Sequence, residues 1–288
     1  MTQTVNILIS WPYLDSSQNS IRIWGETLTQ NKGQMRLLLD SGAFTNWKAG
    51  KEGSVEEYVA FIQRLPFEPW RYFTLDRIGD SVATEVNYQT MLDQGMTPVP
   101  IFTRGTSIDQ LEAMYTHSDL VGLGVGVGSK GYLSYVRWVM EQNKRPMHWL
   151  GVGHPGLIRW FHPYSCDTSS WEAGGRYGII PVYKGQGEFQ MWSRAKAAKG
   201  PPSRELWEVI ESYGVNPRDL EHEQNWRGSF AIARRLGGQS WLRYAAEVEE
   251  LTGTLVFLVV TTTKSLRCLL DAWEYNELYA DEPIPGAR

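Results

Sequence analysis

Three aspartates each follow a short apolar run, where a buried strand commonly ends. Asp40 follows Leu37-Leu-Leu and precedes a Ser-Gly turn, Asp76 follows Tyr72-Phe-Thr-Leu, and Asp167 lies in Ser165-Cys-Asp-Thr. The carboxyl ends of strands share one face in a parallel βα array, so we expect these three side chains to meet. Grouped carboxylates repel one another and shift one pKa upward, which suits proton transfer or nucleophilic attack. The set therefore predicts acid/base and nucleophilic chemistry.

Each aspartate taken alone also has a structural explanation. Asp40 could cap the helix or turn that follows it, and Asp167 could belong to a hydrogen-bonded loop of hydroxyl groups. Asp80, four residues after Asp76, adds a further carboxylate to the same region. It is the grouping of several carboxylates at strand ends that favours chemistry over capping.

A glycine run from Gly122 to Gly128 has a glycine at every second position. This spacing differs from the GxGxxG fingerprint of dinucleotide-binding sites, and the early βαβ context of that fingerprint is missing, so a Rossmann site is rejected. Two explanations remain open. The missing side chains leave room for a flat ligand against the backbone, or they permit close packing inside a barrel.

Neither the histidines nor the cysteines form a recognisable metal site. His148, His154 and His162 precede Cys166, but their intervals match no standard ligand pattern, and core or capping roles are expected for them. The only other cysteine is Cys268. The sequence therefore predicts no metal and no cofactor, and its cysteine content fits a reducing compartment.

The bulk composition limits the classes of partner. The chain has 288 residues, is 42% hydrophobic and has a formal net charge of -4, so no global field attracts polyanions. Nucleic-acid contacts would have to come from local clusters, such as Trp192, Arg194, Lys196 and Lys199. With no apparent signal core or bilayer-length apolar run, we expect a cytoplasmic protein that does not bind membranes.

Alternating strand-like and helix-like segments predict an α/β fold. Val55 to Leu65 and Tyr132 to Met140 have the apolar spacing of helices packed on a sheet. Eight strand-like runs indicate a (β/α)8 TIM-like barrel over residues 1–188, and residues 189–288 are expected to be mostly helical, with Leu255 to Thr263 a candidate strand. The eight runs are Val5 to Ile9, Arg36 to Leu39, Tyr72 to Leu75, Val99 to Phe102, Leu120 to Val125, Met147 to Leu150, a run near Tyr164, and Ile179 to Tyr183.

Read in order, the strand-end motifs resemble the guanine transglycosylases, barrel enzymes that exchange guanine for a 7-deazaguanine in tRNA or DNA. Asp40-Ser-Gly-Ala-Phe is similar to the family's Asp-Ser-Gly-Gly-Phe, and Gly122-Leu-Gly-Val-Gly is similar to its Gly-Leu-Ala-Val-Gly. Arg145-Pro-Met-His-Trp-Leu-Gly-Val-Gly resembles its Lys-Pro-Arg-Tyr-Leu-Met-Gly-Val-Gly. The order and spacing agree over roughly residues 36–178.

The resemblance implies a role for each motif. Asp40 corresponds to the acid/base carboxylate, and Asp167 corresponds to the nucleophile, although the family's Asp-Cys order is reversed here as Cys166-Asp167. Asp76 corresponds to the residue that reads the guanine edge. The implied base-binding set is Ser41, Gly42, Asp76, Thr103, Gly122, Leu123 and Gly151. Nucleic-acid contacts are expected at Arg104, Trp171, Arg176, Trp192, Arg194 and Lys196.

Departures from the family pattern imply different base readout and substrate docking. Thr103-Arg104-Gly105 stands where the family has Gln-Gly-Gly, and the cysteine-rich zinc subdomain of the tRNA enzymes is absent. The segment Ser165-Cys-Asp-Thr-Ser-Ser-Trp171, the short length and the missing zinc subdomain favour DNA as the substrate. The chain looks most like the phage and bacterial branch that inserts 7-deazaguanines into DNA, which would place it in the host cytoplasm if a phage encodes it. The expected co-substrate is a free, preQ0-like base. Other options are tRNA as the polymer, a glycoside hydrolase, a non-catalytic nucleic-acid-binding barrel, and a homodimeric assembly.

Overall fold

The computed structural model describes residues 4–125, 131–228 and 231–278. Gly126 and Gly128, the last glycines of the glycine run, lie outside the described residues. The strands are β1 (Val5–Ser10), β2 (Met35–Asp40), β3 (Arg71–Tyr72), β4 (Ile101–Thr103), β5 (Val121–Gly124), β6 (Met147–Leu150), β7 (Ser165–Thr168), β8 (Ile179–Tyr183), β9 (Phe189–Ser193) and β10 (Leu255–Val259).

Helices follow most of the strands. They are α1 (Trp11–Leu14), α2 (Gln18–Gln30), α3 (Ala43–Lys48), α4 (Val55–Gln63), α5 (Ser81–Asp93), α6 (Ile108–Met114), α7 (Tyr132–Gln142), α8 (Pro155–Phe161), α9 (Ala173–Tyr177), α10 (Arg194–Ala197), α11 (Arg204–Glu211), α12 (Ile232–Thr252) and α13 (Thr263–Leu278). Short 3-10 helices cover Ser170–Glu172, Pro217–Glu221 and Glu223–Trp226. The helices predicted from Val55 and Tyr132 are confirmed as α4 and α7.

The main sheet has eight strands in the order β3-β2-β1-β10-β7-β6-β5-β4. Parallel pairing sets the register of neighbouring strands, so that Leu39 lies opposite Tyr72, Phe102 opposite Leu123, and His148 opposite Ser165. The carboxyl ends of these strands consequently lie at one edge of the sheet. An α/β fold with a curled eight-stranded parallel sheet, as the sequence predicted, is confirmed.

Backbone contacts also link the segments beside the two outermost strands, β3 and β4. Phe73, just after β3, forms a parallel bridge with Val99, just before β4. Val99 donates its N–H to the Tyr72 carbonyl at 2.8 Å and accepts from the Thr74 N–H at 3.0 Å. These hydrogen bonds thus pair backbone N–H and carbonyl groups that would otherwise be left open at the two outer strands of the sheet order.

The eighth strand of the main sheet is β10, and the prediction that Ile179 to Tyr183 fills this place is wrong. That segment is β8, which pairs antiparallel with β9 in a separate two-stranded sheet. Lys184 donates its N–H to the Glu188 carbonyl across the turn, in which Gly185 and Gly187 have positive φ angles. Glycines at such φ angles allow a tight hairpin, which explains the reversal of the chain.

The chain divides into two compact units. The first unit is Asn6–Val152 with Pro163–Asp167, and the second is Met1–Val5, Gly153–His162 and Thr168–Arg288. In the second unit, α12 packs against α13 and β8, and a buried cluster includes Ile180, Leu206 and Leu236. The predicted boundary after residue 188 stays a prediction. Within the described residues, no helix has both the length and the apolar character needed to cross a bilayer.

Trp171 belongs to the core of the second unit, so the prediction that it contacts nucleic acid is wrong. Its ring is fully buried, and its Nε1 donates to the Val259 carbonyl at 2.8 Å. Gly237 packs against the Trp171 backbone so closely that an added Cβ would lie 2.4 Å from the Trp171 carbonyl oxygen. A buried ring with a satisfied donor cannot stack on a base.

We therefore expect Trp171→Phe to lower the free energy of unfolding by about 1–3 kcal/mol, since it leaves a carbonyl without its donor and a small void. Trp160→Phe is the matched control, because Trp160 lies in the same unit with 79% of its surface exposed. This control should change the value by no more than about 0.5 kcal/mol. Urea unfolding checks both, and equal effects would contradict the assignment of Trp171 to the core.

Candidate active site

Asp40 ends β2 and lies partly buried at the sheet edge. Its Oδ2 accepts the Gly42 N–H at 3.0 Å, and the Ser10 side chain also hydrogen-bonds to it. Burial raises the pKa of Asp40, the two hydrogen bonds oppose that rise, and the negative charge of Asp167 adds to it. A carboxyl group in this environment can hold and release a proton, as acid/base chemistry requires.

Gly42 lets the chain turn sharply between Asp40 and α3. Its φ is 76°, in the left-handed region, and an added Cβ would lie 2.3 Å from Cδ of Pro12. The turn also buries Ser41, whose hydroxyl donates to Oδ1 of Asp76 at 3.0 Å. The Ser-Gly turn therefore links two of the three predicted carboxylates.

Asp76 follows β3 and has a pKa raised to about 7, first by burial and then by the charge of Asp40. The hydrogen bond from Ser41 opposes this rise. Nearby, the buried Tyr58 hydroxyl donates to the Phe73 carbonyl at 3.1 Å. The pKa of Tyr58 is raised by burial and, to a smaller extent, by the charges of Asp40 and Asp76. This phenol stays a neutral donor beside the carboxylates.

Asp167, on β7, is buried and held at one oxygen. Its Oδ1 accepts the Gly151 N–H at 2.7 Å and faces Nε2 of His148 at 3.2 Å. On the other side of the imidazole, Nδ1 of His148 lies 2.8 Å from the Ser165 hydroxyl. The Ser165, His148 and Asp167 side chains thus form a hydrogen-bonded chain across β6 and β7.

Electrostatic interactions connect the three carboxylates within the first unit. The charge of Asp167 adds to the raised pKa of Asp40, and the charge of Asp40 adds to that of Asp76. Such dependence requires the groups to be near each other in a region that water screens poorly. Asp80 plays a different part, because its carboxylate caps α5 through the Ala83 N–H.

Sequence reasoning did not find the interaction of His148 with Asp167. It expected core or capping roles for the three histidines. His148 is fully buried, as a core role requires, and His154 and His162 stand at the N-cap and C-cap positions of α8, with no side-chain cap hydrogen bond at His154. Among the described residues, no group of three His, Cys, Asp or Glu side chains could hold a metal ion. The contact depends on the pairing of β6 with β7, which neither motif shows. That pairing sets His148 opposite Ser165, and Asp167 lies on the same face of β7 as Ser165 because alternate residues of a strand share a face.

The glycines of β5 are explained by packing where the structure describes them. An added Cβ at Gly122 would lie 3.0 Å from a ring carbon of Phe73, and one at Gly124 would lie 3.0 Å from Cγ2 of Thr103. Leu123 between them is fully buried. The backbone N–H of Gly151 is used by Asp167. Base contacts at Ser41, Thr103, Gly122 and Leu123 stay predictions.

A cleft next to Asp76 offers room for a ligand. Its empty volume, including space open to solvent, is about 870 Å³. Trp47 lines it, is 57% exposed, and stacks on the exposed Phe44 with ring centroids 5.9 Å apart. Further lining residues include Ala43, Asn46, Leu75, Asp76, Arg77 and Asp80. The cleft places an open aromatic surface near a carboxylate.

The residues predicted to contact nucleic acid lie in different environments. In the second unit, Trp192 is buried and cannot stack on a base, so that prediction is wrong. Arg176 is ion-paired with the buried Glu172, and Arg194 with Glu223 at 3.6 Å. Lys196 is exposed in the second unit, and Arg104 is exposed in the first, where its guanidinium lies 5.1 Å from the Tyr135 ring centroid. Arg104 and Lys196 keep the exposure that a phosphate contact needs.

The conformation of Gly42 generates one stability prediction. Gly42→Ala should lower the free energy of unfolding by more than about 1–2 kcal/mol, because a left-handed φ is costly for alanine and Pro12 blocks the new methyl group. Gly50→Ala is the matched control, with φ at 65° and no atom within 4 Å of the added Cβ. Thermal unfolding of Gly50→Ala therefore measures the cost of the φ angle alone. Equal losses would contradict the close contact with Pro12.

The raised pKa of Asp76 generates a pH prediction. Because its folded pKa of about 7 exceeds the ordinary value of 3.8, its contribution to stability is complete below about pH 4 and is lost as pH rises through 7. Asp76→Asn mimics the neutral form. The free energy of unfolding of Asp76→Asn minus that of wild type should be larger at pH 8 than at pH 5, by about 2 kcal/mol. Urea unfolding at both pH values tests this, and the same difference at each pH would contradict it.

No protein-family model matches the chain, and no curated protein sequence matches it significantly. The motifs within residues 36–178 and the geometry around Asp40, Asp76 and Asp167 therefore carry the functional assignment. The motifs suggest which reaction to consider. The geometry supplies the physical reasons for assigning each carboxylate a part in it.

Proposed function

We propose that the chain is a guanine transglycosylase that exchanges guanine in DNA for a free 7-deazaguanine base of the preQ0 type. The observation that carries the proposal is the placement of Asp40 and Asp167 on β2 and β7 of one sheet and within one compact unit, where the charge of Asp167 raises the pKa of Asp40. These are the two carboxylates to which the motif resemblance gives the acid/base and nucleophile roles. They come from strands whose ends are more than a hundred residues apart in the chain.

The proposed reaction is a double displacement. The target nucleotide leaves the base stack, and a carboxylate oxygen of Asp167 attacks C1′ while the bond from C1′ to the guanine nitrogen breaks. Asp40 donates a proton to the departing guanine, leaving an ester between Asp167 and the sugar. Asp40 then takes the ring N–H proton of the incoming 7-deazaguanine, whose nitrogen attacks C1′ and releases the Asp167 carboxylate. The configuration at C1′ is retained.

The environments of the carboxylates suit these parts. The raised pKa of Asp40 favours a carboxyl group that carries a proton when guanine departs. Asp76, with a pKa of about 7, accepts hydrogen bonds from the N–H groups of the guanine edge in its ionised form. The cleft beside Asp76, with the exposed Trp47, gives a flat base a route to that edge. The proposed chemistry needs neither a redox cofactor nor a metal.

The finer description of the fold is a closed (β/α)8 barrel. The bridge between Phe73 and Val99 supports it, because it joins the chain beside the two outermost strands of the sheet order. Closure would place the ends of β2, β3 and β7 around one opening, as in barrel enzymes.

DNA is preferred to tRNA as the polymer. Two cysteines in the whole sequence cannot form the cysteine-rich zinc subdomain of the tRNA enzymes. The net charge of -4 leaves the phosphate contacts to local cations, for which the exposed candidates are Arg104, Arg176, Arg194 and Lys196. A homodimer remains one option for the assembly.

A retaining glycoside hydrolase is the second candidate. The observation that favours it is the same carboxylate pair, one member of which has a raised pKa, since such enzymes use a general acid and a nucleophile of this kind. The two candidates differ in what accepts the sugar. A hydrolase passes it to water, whereas a transglycosylase passes it to a purine-like base.

The test is incorporation of radiolabelled guanine into guanine-containing DNA or tRNA, together with trapping of a protein-DNA adduct on a denaturing gel. We expect labelled DNA and an adduct with wild type, and a loss of about 10³-fold or more with Asp167→Asn or Asp40→Asn, because each removes a reacting group. Asp93→Asn, at an exposed carboxylate that accepts from Gln89, is the control and should match wild type.

Each alternative outcome has a distinct meaning. Label in tRNA alone would reassign the polymer. Release of sugar without incorporated base would favour the hydrolase. Full incorporation by Asp167→Asn would overturn the proposed nucleophile.

A further inference from the structure

The His148 imidazole is fully buried and fixed on three sides. Its Nδ1 lies 2.8 Å from the Ser165 hydroxyl, and its Nε2 lies 3.2 Å from Oδ1 of Asp167. The Phe73 ring packs against it with centroids 5.1 Å apart. Ser165 and Asp167 lie on the same face of β7, and His148 is the register partner of Ser165 on β6. Strand pairing therefore fixes the position of the imidazole.

For a neutral His148, the hydrogen-bond partners indicate which ring nitrogen carries the proton. A neutral imidazole has one N–H donor and one acceptor nitrogen. If the proton were on Nδ1, the lone pair of Nε2 would face the Asp167 carboxylate, and the two would repel each other. With the proton on Nε2, His148 donates to Asp167 and Nδ1 accepts the Ser165 O–H, so both contacts are favourable.

The two oxygens of Asp167 consequently differ. Two groups, the Gly151 N–H and His148 Nε2, meet at Oδ1. An oxygen that accepts two N–H groups is fixed in direction and has little electron density left for a new bond. Attack on carbon through Oδ2 would keep both hydrogen bonds, whereas attack through Oδ1 would break them.

We propose that His148 is a positioning residue, which together with the Gly151 N–H holds Oδ1 of Asp167 so that Oδ2 is the attacking oxygen. This inference rests on the proposed function and deepens it. When the bond between C1′ and Oδ2 forms and the bond to the base breaks, Oδ1 becomes the carbonyl oxygen of the ester and keeps the same two donors. The return step restores the carboxylate in the same orientation, ready for another turnover.

Two amide substitutions separate the contacts of His148. In His148→Gln the amide nitrogen can occupy the place of Nε2 and donate to Asp167. In His148→Asn the shorter side chain reaches only the place of Nδ1, beside Ser165. We expect His148→Gln to form the covalent adduct within about threefold of the wild-type rate and His148→Asn to be about 100-fold slower, since misplacing a reacting group costs about that much. The dissociation constant for DNA should be unchanged in both.

The measurement is the rate of adduct formation with a guanine-containing single-stranded oligodeoxynucleotide, followed by rapid quenching. Thermal unfolding shows whether each variant is folded. Equal rates for His148→Asn and His148→Gln, in folded proteins, would overturn the inference, whether both variants match wild type or both are slow. The donor to Asp167 would then not be the important contact.

A measurement on wild type tests the same inference without activity. Nitrogen-15 NMR of the labelled imidazole distinguishes a protonated from an unprotonated ring nitrogen. We expect a protonated Nε2 and an unprotonated Nδ1 for His148, and loss of this tautomer preference in Asp167→Ala. An unprotonated Nε2 in wild type would overturn the inference. If wild type forms no adduct but shows the expected tautomer, the proposed reaction fails while the support of Asp167 by His148 stands.

Discussion

The repulsion among three carboxylates that are partly or almost fully buried is the constraint on which the rest of the site depends. Asp40, Asp76 and Asp167 would each be more stable apart and solvated, so their proximity must be balanced by donors placed around them. The turn after β2 supplies a hydroxyl and a backbone N–H, and the turn after β6 supplies another N–H. Serine and glycine occur beside the aspartates because only short residues let the backbone come this close.

The same balance makes the carboxylates chemically different. Burial favours the protonated form of both Asp40 and Asp76, and the charge of Asp40 adds to the raised pKa of Asp76. Asp167 instead has the Gly151 N–H and Nε2 of His148 at one oxygen. One residue type thus yields two carboxyl groups with a raised pKa and one carboxylate with a fixed oxygen. The difference comes from the neighbouring strands and turns, and the aspartate side chain itself contributes none of it.

Local sequence was sufficient to predict those elements whose pattern is contained in a few neighbouring residues. The buried run Leu37-Leu-Leu with its aspartate predicted the end of β2, and the spacing after Val55 predicted α4. Local sequence was insufficient for β8 and β10. Both are apolar runs of five residues, and what separates them is the hairpin turn after Tyr183, which pairs β8 with β9. Composition likewise could not show that Trp171 and Trp192 are buried, because aromatic rings serve both cores and surfaces.

The contact between His148 and Asp167 could not be predicted from either motif, because it depends on the register of two strands. A shift of β6 by one residue would turn Trp149 toward Asp167 and His148 away from it, leaving the carboxylate with the Gly151 N–H alone. The apolar residues of β6 hold that register through burial of Met147 and Trp149. The hydrogen bonding of the Asp167 carboxylate is therefore secured by hydrophobic packing on the opposite face of the strand.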